Sequence, residues 1–387
     1  MLFHWLLFGG ISAFAMTPEQ VLKTAWSDSA YTSQEEMRST NTTNPLRNVE
    51  AFANTETEDK KNNEYEVGLK LQFRSWPEWK IGEAPDASRT VLKDASLAWA
   101  LHERYLNLIS YEISRQKMAI LTSSLKLSDG YLKAQSLSLR AGRASTKSFL
   151  GAQGDIYKLK RLENVITQEN KAAAKKIKNW VPSWSEDSLE GFDLLNVQEV
   201  ADSVASTPLP QASLSARISQ TEFKNYSREL EILRGREDQW IKGLDVSQSH
   251  KGDDIGYKVE LTIQLPGLWA DDLSRQKQNE LILKKALKQK EVDDSKDSLL
   301  SLKNQILNLV GLYKMTSAGL KEISKVKERD TLSSLENRLL QEQGEMDLLS
   351  QQQEILTLFV EYLLQSERLA TEPTKNHLSK SLKVVVL

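Results

Sequence analysis

The chain has 387 residues, no cysteine, and 51 Lys and Arg against 53 Asp and Glu, a formal net charge of −2. The missing cysteine excludes disulfides, thiol catalysis, cysteine zinc sites and an N-terminal lipid anchor on cysteine. The near-balanced charge gives no bulk attraction to nucleic acid, and scarce Gly and Pro beside Leu-, Lys-, Gln-, Glu- and Ser-rich stretches point to extended helices.

The apolar run from Leu2 to Ile11 is too short to span a bilayer as a helix. It ends in Ala13-Phe14-Ala15, the small-x-small pattern of a signal-peptidase site, so residues 1–15 read as a signal peptide even though the n-region holds no Lys or Arg. No later segment holds about 18 consecutive apolar residues. Thr17-Pro18-Glu19-Gln20 is a helix start with a cap, a first-turn proline and a capping-box Gln. It opens an N-terminal helical segment, 16–45, with Val21, Leu22, Ala25 and Trp26 on one face.

Tyr65 to Phe73 alternates apolar and polar residues, and Tyr257 to Leu265 repeats the pattern without a gap at an offset of 192 residues. Tyr, Val, Leu and Gln recur identically, which marks an internal duplication. Each copy follows a candidate partner strand, Leu46 to Thr55 and Trp240 to Gln248, across polar loops at 56–63 and 249–254. The sequence therefore predicts two β-hairpins, 46–76 and 239–267, each with one apolar and one polar face.

After each hairpin the period changes from two to about 3.5. Leu299, Leu302, Ile306, Leu309, Tyr313, Leu320 and Ile323 form one stripe. Beyond a break near Asp330, Leu332, Leu335, Leu339, Met346, Leu349, Leu356, Val360 and Leu363 form another, interrupted by Glu342 and Gln353. This predicts a long antiparallel helical hairpin over 270–370. A looser version over 84–181 breaks at Ala141-Gly142-Arg143, where Gly142 suits a positive φ. The linker 182–238 is irregular and acidic before a helix from about Ser213 to Arg236. The stretch from Pro182 to Pro210 and the tail 371–387 carry no pattern that assigns them a role.

An exported chain with two amphipathic hairpins has to place its apolar faces. Strands of nine to eleven residues alternating apolar and polar suit an outer-membrane barrel, which must close because an unpaired edge is intolerable in lipid. Four strands are too few, the smallest such barrels having about eight, so several protomers would share one barrel. Trp76, Trp240 and Trp269 would lie at one rim, either as membrane-interface aromatics or as plugs of the junction with the helices.

The segment Gly142-Arg-Ala-Ser145-Thr-Lys147-Ser148-Phe-Leu150-Gly-Ala152-Gln153 resembles the turn between the long helices of the TolC-like outer-membrane efflux proteins, with Ser148 in place of the usual acid. Asp330-Thr-Leu-Ser-Ser334-Leu335-Glu336 resembles the second-copy turn, with Asp where Gly is common. The spacing agrees, 69 residues from Phe73 to Gly142 and 65 from Leu265 to Asp330. The match extends from Met16 to about Leu369 and includes the opening helix.

This resemblance implies a mainly α protein with a transmembrane β-hairpin pair: a long antiparallel coiled-coil α-barrel plus a β-barrel of four strands per protomer, completed as a homotrimer. It implies a bacterial outer-membrane channel-tunnel reaching into the periplasm, in a tripartite efflux pump or a type I secretion system. Its implied partners are a periplasmic adaptor (membrane fusion protein), an inner-membrane transporter reached indirectly, and outer-membrane lipid. In such a tunnel Glu336 is the candidate for a gating ring of carboxylates, or else an ordinary solvated coiled-coil residue. Arg140, Gly142, Arg143, Ser145 and Lys147 on the first tip are candidates for adaptor docking. Asp330, Ser334 and Leu335 are their counterparts on the second. Four scattered histidines and no phosphate loop, zinc spacing or nucleophile elbow predict no catalytic residue, metal or cofactor. The rival reading is a periplasmic adaptor or soluble coiled-coil scaffold, which should carry one hairpin beside a lipoyl-like domain.

Overall fold

The computed structural model describes residues 17–36, 44–59, 62–81, 86–185, 194–208, 213–251, 254–264, 272–326, 331–379 and 385. The expected signal peptide at 1–15 lies outside them, as do Trp269 and Asp330. In chain order the elements are α1 (Pro18–Lys23), α2 (Ser29–Glu36), β1 (Leu46–Asp59), β2 (Asn62–Phe73), α3 (Trp76–Ile81), α4 (Asp86–Arg140), α5 (Thr146–Trp180), α6 (Val197–Ser206), α7 (Leu214–Glu237), β3 (Ile241–Lys251), β4 (Asp254–Ile263), α8 (Asp272–Ile323), α9 (Thr331–Gln365) and α10 (Arg368–Thr371). The fold is mainly α, with four antiparallel strands. None of the described helices is long and apolar enough to cross a membrane.

Contacts divide the chain into two units. One comprises Met1–Thr32, Asp94–Leu214 and Lys296–Leu387. Its core lies where α4 buries Leu101, Leu108, Ile109 and Ile113 and α9 buries Ile355, Leu356, Phe359 and Leu363. The heptad stripe of α8 buries Leu299, Leu302 and Ile306, and then Val310. Lower down, Leu121 of α4, Leu159 and Ile166 of α5 and Met346 of α9 form one cluster.

The two polar interruptions of the α9 stripe face α4. Ser123 and Ser124 each donate a hydroxyl to the Glu342 carboxylate at 2.6 Å, and the Lys117 ammonium donates to Gln353 Oε1 at 2.8 Å. Charge assistance makes such contacts stronger than neutral hydrogen bonds. A polar side chain that breaks an apolar stripe here becomes a tie between the duplicated halves.

The opening segment is two helices rather than one. Arg104 of α4, only 2% exposed, takes the Thr24 hydroxyl at 2.8 Å, the Thr24 carbonyl at 3.1 Å and Asp28 Oδ2 at 3.1 Å, beneath the Trp180 ring. With the Thr24 carbonyl engaged by a guanidinium, the chain tightens into a 3₁₀ turn over Thr24–Ser27 before restarting. Val21, Leu22 and Ala25 remain fully buried.

Two segments with no sequence pattern pack against each other. Leu194 bridges Ser379, and the Leu195 amide donates to the Leu378 carbonyl at 2.9 Å, just before α6 begins at an Asn196 cap. The Tyr105 hydroxyl donates to the Lys375 carbonyl at 3.0 Å, Asn376 reaches Glu19 at 2.7 Å, and His377 is buried. Burial pushes the His377 imidazole down to about 4.

The second unit comprises Ser33–Lys93 and Ser215–Ser295. Its sheet has the order β1-β2-β3-β4, antiparallel throughout. The strands run further than their alternation suggests. Thr57 still pairs with Asn63, and Lys251 with Asp254, so the loops expected at 56–63 and 249–254 are largely strand. Polar residues that extend a ladder look like loop residues in sequence, because the backbone pairs there whatever the side chains are.

Candidate membrane surface and helix tips

The register places Val49, Ala51 and Ala53 of β1 beside Leu71, Leu69 and Val67 of β2. Across the next ladder, Leu71 and Leu69 meet Leu244 and Val246, which in turn meet Leu261 and Val259 of β4. Side chains alternate across a strand, so these residues share one face. That face is not covered: Val67 is 61% exposed and Val259 69%. Tyr, Val and Leu matched at the 192-residue offset thus occupy equivalent places on β2 and β4.

The opposite face is polar and internally paired. The Ser247 hydroxyl donates to Glu66 at 2.6 Å, Lys251 lies 3.4 Å from Glu64, and Lys258 lies 2.9 Å from Glu260. Gly68 lets Phe52 cross this face, since a Cβ there would fall 2.6 Å from the ring tip. Both faces of β4 are exposed, one lined by apolar groups and the other by ion pairs. Among the described residues β1 and β4 each have a partner on one side only, so the sheet presents two unpaired edges.

Aromatic residues mark both ends of the apolar face. Trp76 and Trp240 stand at the helix end, 67% and 64% exposed, while the half-buried Trp79 packs edge-on against Trp76 at 5.1 Å. Tyr65 and Tyr257 stand at the hairpin-loop end, in rows that also carry Gln248 and His250. The two Tyr were legible as repeat positions, yet their role as a second aromatic row appears only once the register is known. From Ile255 to Ile263 the exposed face of β4 covers about 27 Å of strand, roughly 20 Å of height at the tilt of outer-membrane barrels, near their ~25 Å apolar band.

Beneath the sheet Glu78 of α3, 8% exposed, is held by two forked guanidinium groups. Arg47 reaches it at 2.6 and 3.3 Å, and Arg236 at 2.9 and 3.3 Å. Burial alone would raise the Glu78 carboxyl, but the hydrogen bonds from Arg236 and Arg47 outweigh it and hold the group at about 2. Nothing in the local sequence signals this clamp, because its members lie on β1, α3 and α7.

In the other unit, α4 ends in a Schellman motif. Gly142 has φ +71°, its amide donates to Leu139 O at 3.0 Å, and the Arg143 amide donates to Ser138 O at 2.8 Å. Ser145 caps α5 by accepting from the Ser148 amide at 3.1 Å, and Ser148 Oγ reaches back to Gln135 at 3.4 Å. Arg140, Arg143 and Lys147 are exposed around this turn, and no acidic residue occurs between Asp129 and Asp155. On the second tip Ser334 and Leu335 are half-buried and Glu336 is exposed in the first turns of α9.

The chain combines a four-stranded amphipathic sheet with two pairs of long helices. The chain is similar over 90% of its length to the channel CusC, covering 92% of that chain with 11% identity and a TM-score of 0.64. It is similar over 89% to the outer membrane protein VceC of Vibrio cholerae, 95% of that chain, with 10% identity and a TM-score of 0.59. It also resembles the outer membrane channel CmeC of Campylobacter jejuni, over 90% of this chain and 84% of that one, with 10% identity and a TM-score of 0.55. No family model and no curated protein matches the sequence. At such identities the likeness is one of fold.

Proposed function

We propose that the chain is one subunit of a homotrimeric channel in a bacterial outer membrane, its helices extending into the periplasm as a tunnel for export. The observation that carries this reading is the exposed apolar face of a sheet whose two edges have no partner among the described residues. Lipid is the solvent that such a face suits, and in lipid each edge must find a partner strand. Three copies of four strands give a closed barrel of twelve, an even number within the range of such barrels. Trp76 and Trp240 at one rim and Tyr65 and Tyr257 at the other match the aromatic girdles that flank an apolar band.

In this reading the basic first tip, Arg140, Arg143 and Lys147, docks a periplasmic adaptor through acidic residues, with Gly142 and Ser145 shaping the turn. Glu336, beside Ser334 and Leu335, stands near the mouth that would narrow the tunnel. An inner-membrane transporter supplies cargo through the adaptor, as in an efflux pump or a type I secretion system. The chain's role is passage, without catalysis or a cofactor.

The test is reconstitution of the full-length, detergent-extracted protein into planar bilayers. Stepwise conductance from a particle that keeps its assembly until heated supports the reading. A monomer released from membranes by high salt, with no conductance, contradicts it and returns the soluble scaffold to favour.

A further inference from the structure

A cavity of about 390 Å³ opens on the polar face of the sheet, at its helix end. Arg47, Lys70, Arg236 and Lys242 line it together with Gln72 and Asp245. The register explains the opening. Gln72, Gly243 and Thr262 form one row beside a shift between Ile241 and Gly243, and Gly243 contributes no side chain. A Cβ there would lie 2.9 Å from the Leu71 carbonyl, so the backbones approach more closely than another residue allows.

Charge in this cavity is unevenly matched. Arg47 and Arg236 share the single carboxylate of Glu78, which leaves one positive charge over. Lys70 stands 4.0 Å from Asp245, in a row that Glu50 and Glu260 make net acidic. Lys242 is exposed and makes no ion pair among the described residues. Beyond that row, toward the hairpin loops, the same face carries Glu64, Glu66 and Asp254 against Lys251 and Lys258. The excess of basic groups is thus confined to Arg47, Arg236 and Lys242 at the helix end, and the rest of the face is net acidic.

We infer that this cavity is a binding site for the oxyanion group, phosphate, sulfonate or carboxylate, of a small solute. Two guanidinium groups fixed by Glu78 offer donors at little cost in ordering, and the Lys242 ammonium, in no ion pair among the described residues, adds a further positive charge. Asp245 opposes the anion and limits its affinity, as a site meant to release its occupant requires. The site's role as a station for anionic cargo rests on the channel reading above; the binding itself does not.

Calorimetric titration of the full-length protein in detergent with inorganic pyrophosphate, against sodium chloride at matched ionic strength, tests the inference. The expected result is saturable binding that Lys242→Gln weakens about tenfold, the usual scale for one charge-assisted contact. Asp245→Asn should shift affinity the other way, so a general loss of folding cannot mimic both results. Absence of saturable binding, or equal affinity in all three proteins, overturns the site. In bilayers, pyrophosphate should block the wild-type pore and spare Lys242→Gln. A working pore indifferent to saturating pyrophosphate overturns the cargo role and leaves the channel standing. Binding without any pore would instead sink the channel reading alone.

Discussion

The α4–α9 core and the four-stranded sheet use the same apolar residue types to opposite ends. Ile355, Leu356 and Leu363 of α9 are fully buried by helices of the same chain. Val67, Val259 and Leu261 of the sheet are as apolar and lie open. The helical unit therefore supplies its own interior, whereas the sheet leaves its apolar face without one among the described residues. The difference locates where the chain covers its own apolar groups and where it leaves them open.

Substitutions should separate the two regions. Phe359→Ala removes a ring that is 2% exposed in the helical core and should cost about 3–5 kcal/mol, read as a lowered midpoint of chemical unfolding. Val259→Arg on the open face should leave helix content unchanged in detergent, because no described residue covers Val259, which is 69% exposed. In a bilayer it should cost about 2–4 kcal/mol, read as a fall in the folded, membrane-inserted fraction. Equal damage to the detergent-solubilised protein would show that the face is covered by protein.

The helical unit also carries its own acid sensitivity. The His377 imidazole titrates at about 4 when folded, below its ordinary 6.5. Above pH 6.5 both folded and unfolded states are neutral there and nothing is lost. As pH falls from 6.5 to 4 the unfolded state takes up a proton first, and stability should decline by up to about 3 kcal/mol. His377→Gln should flatten that part of the stability–pH curve; an unchanged slope would show that other groups set it. The smallest effect is expected at Gly142, where φ is +71° and a Cβ would meet no atom within 4 Å. Gly142→Ala should cost about 1 kcal/mol from backbone strain alone, seen as a small drop in thermal midpoint.

The sequence showed most clearly what local periodicity controls. Alternation from Tyr65 to Phe73 and its repeat at Tyr257 are direct consequences of a pleated strand with unlike faces. The stripe of α8 and α9 follows in the same way from helical packing. Partnership between distant residues left no such trace. Leu195 meets Leu378 through backbone groups, Glu78 meets Arg47 and Arg236 from three elements, and Arg104 divides the first helix from a position 80 residues beyond Thr24. Glu342 and Gln353 fall between these cases, since the sequence marked them as interruptions and only the facing Ser123, Ser124 and Lys117 explain them.

Stoichiometry of the detergent-extracted, full-length particle, imaged by electron cryomicroscopy, tests the central claim most directly. The account predicts three chains around one axis, with β1 of each paired to β4 of its neighbour in a closed twelve-stranded barrel. A particle of one chain, or an assembly in which both sheet edges stay unpaired and protein covers Val67 and Val259, would contradict it.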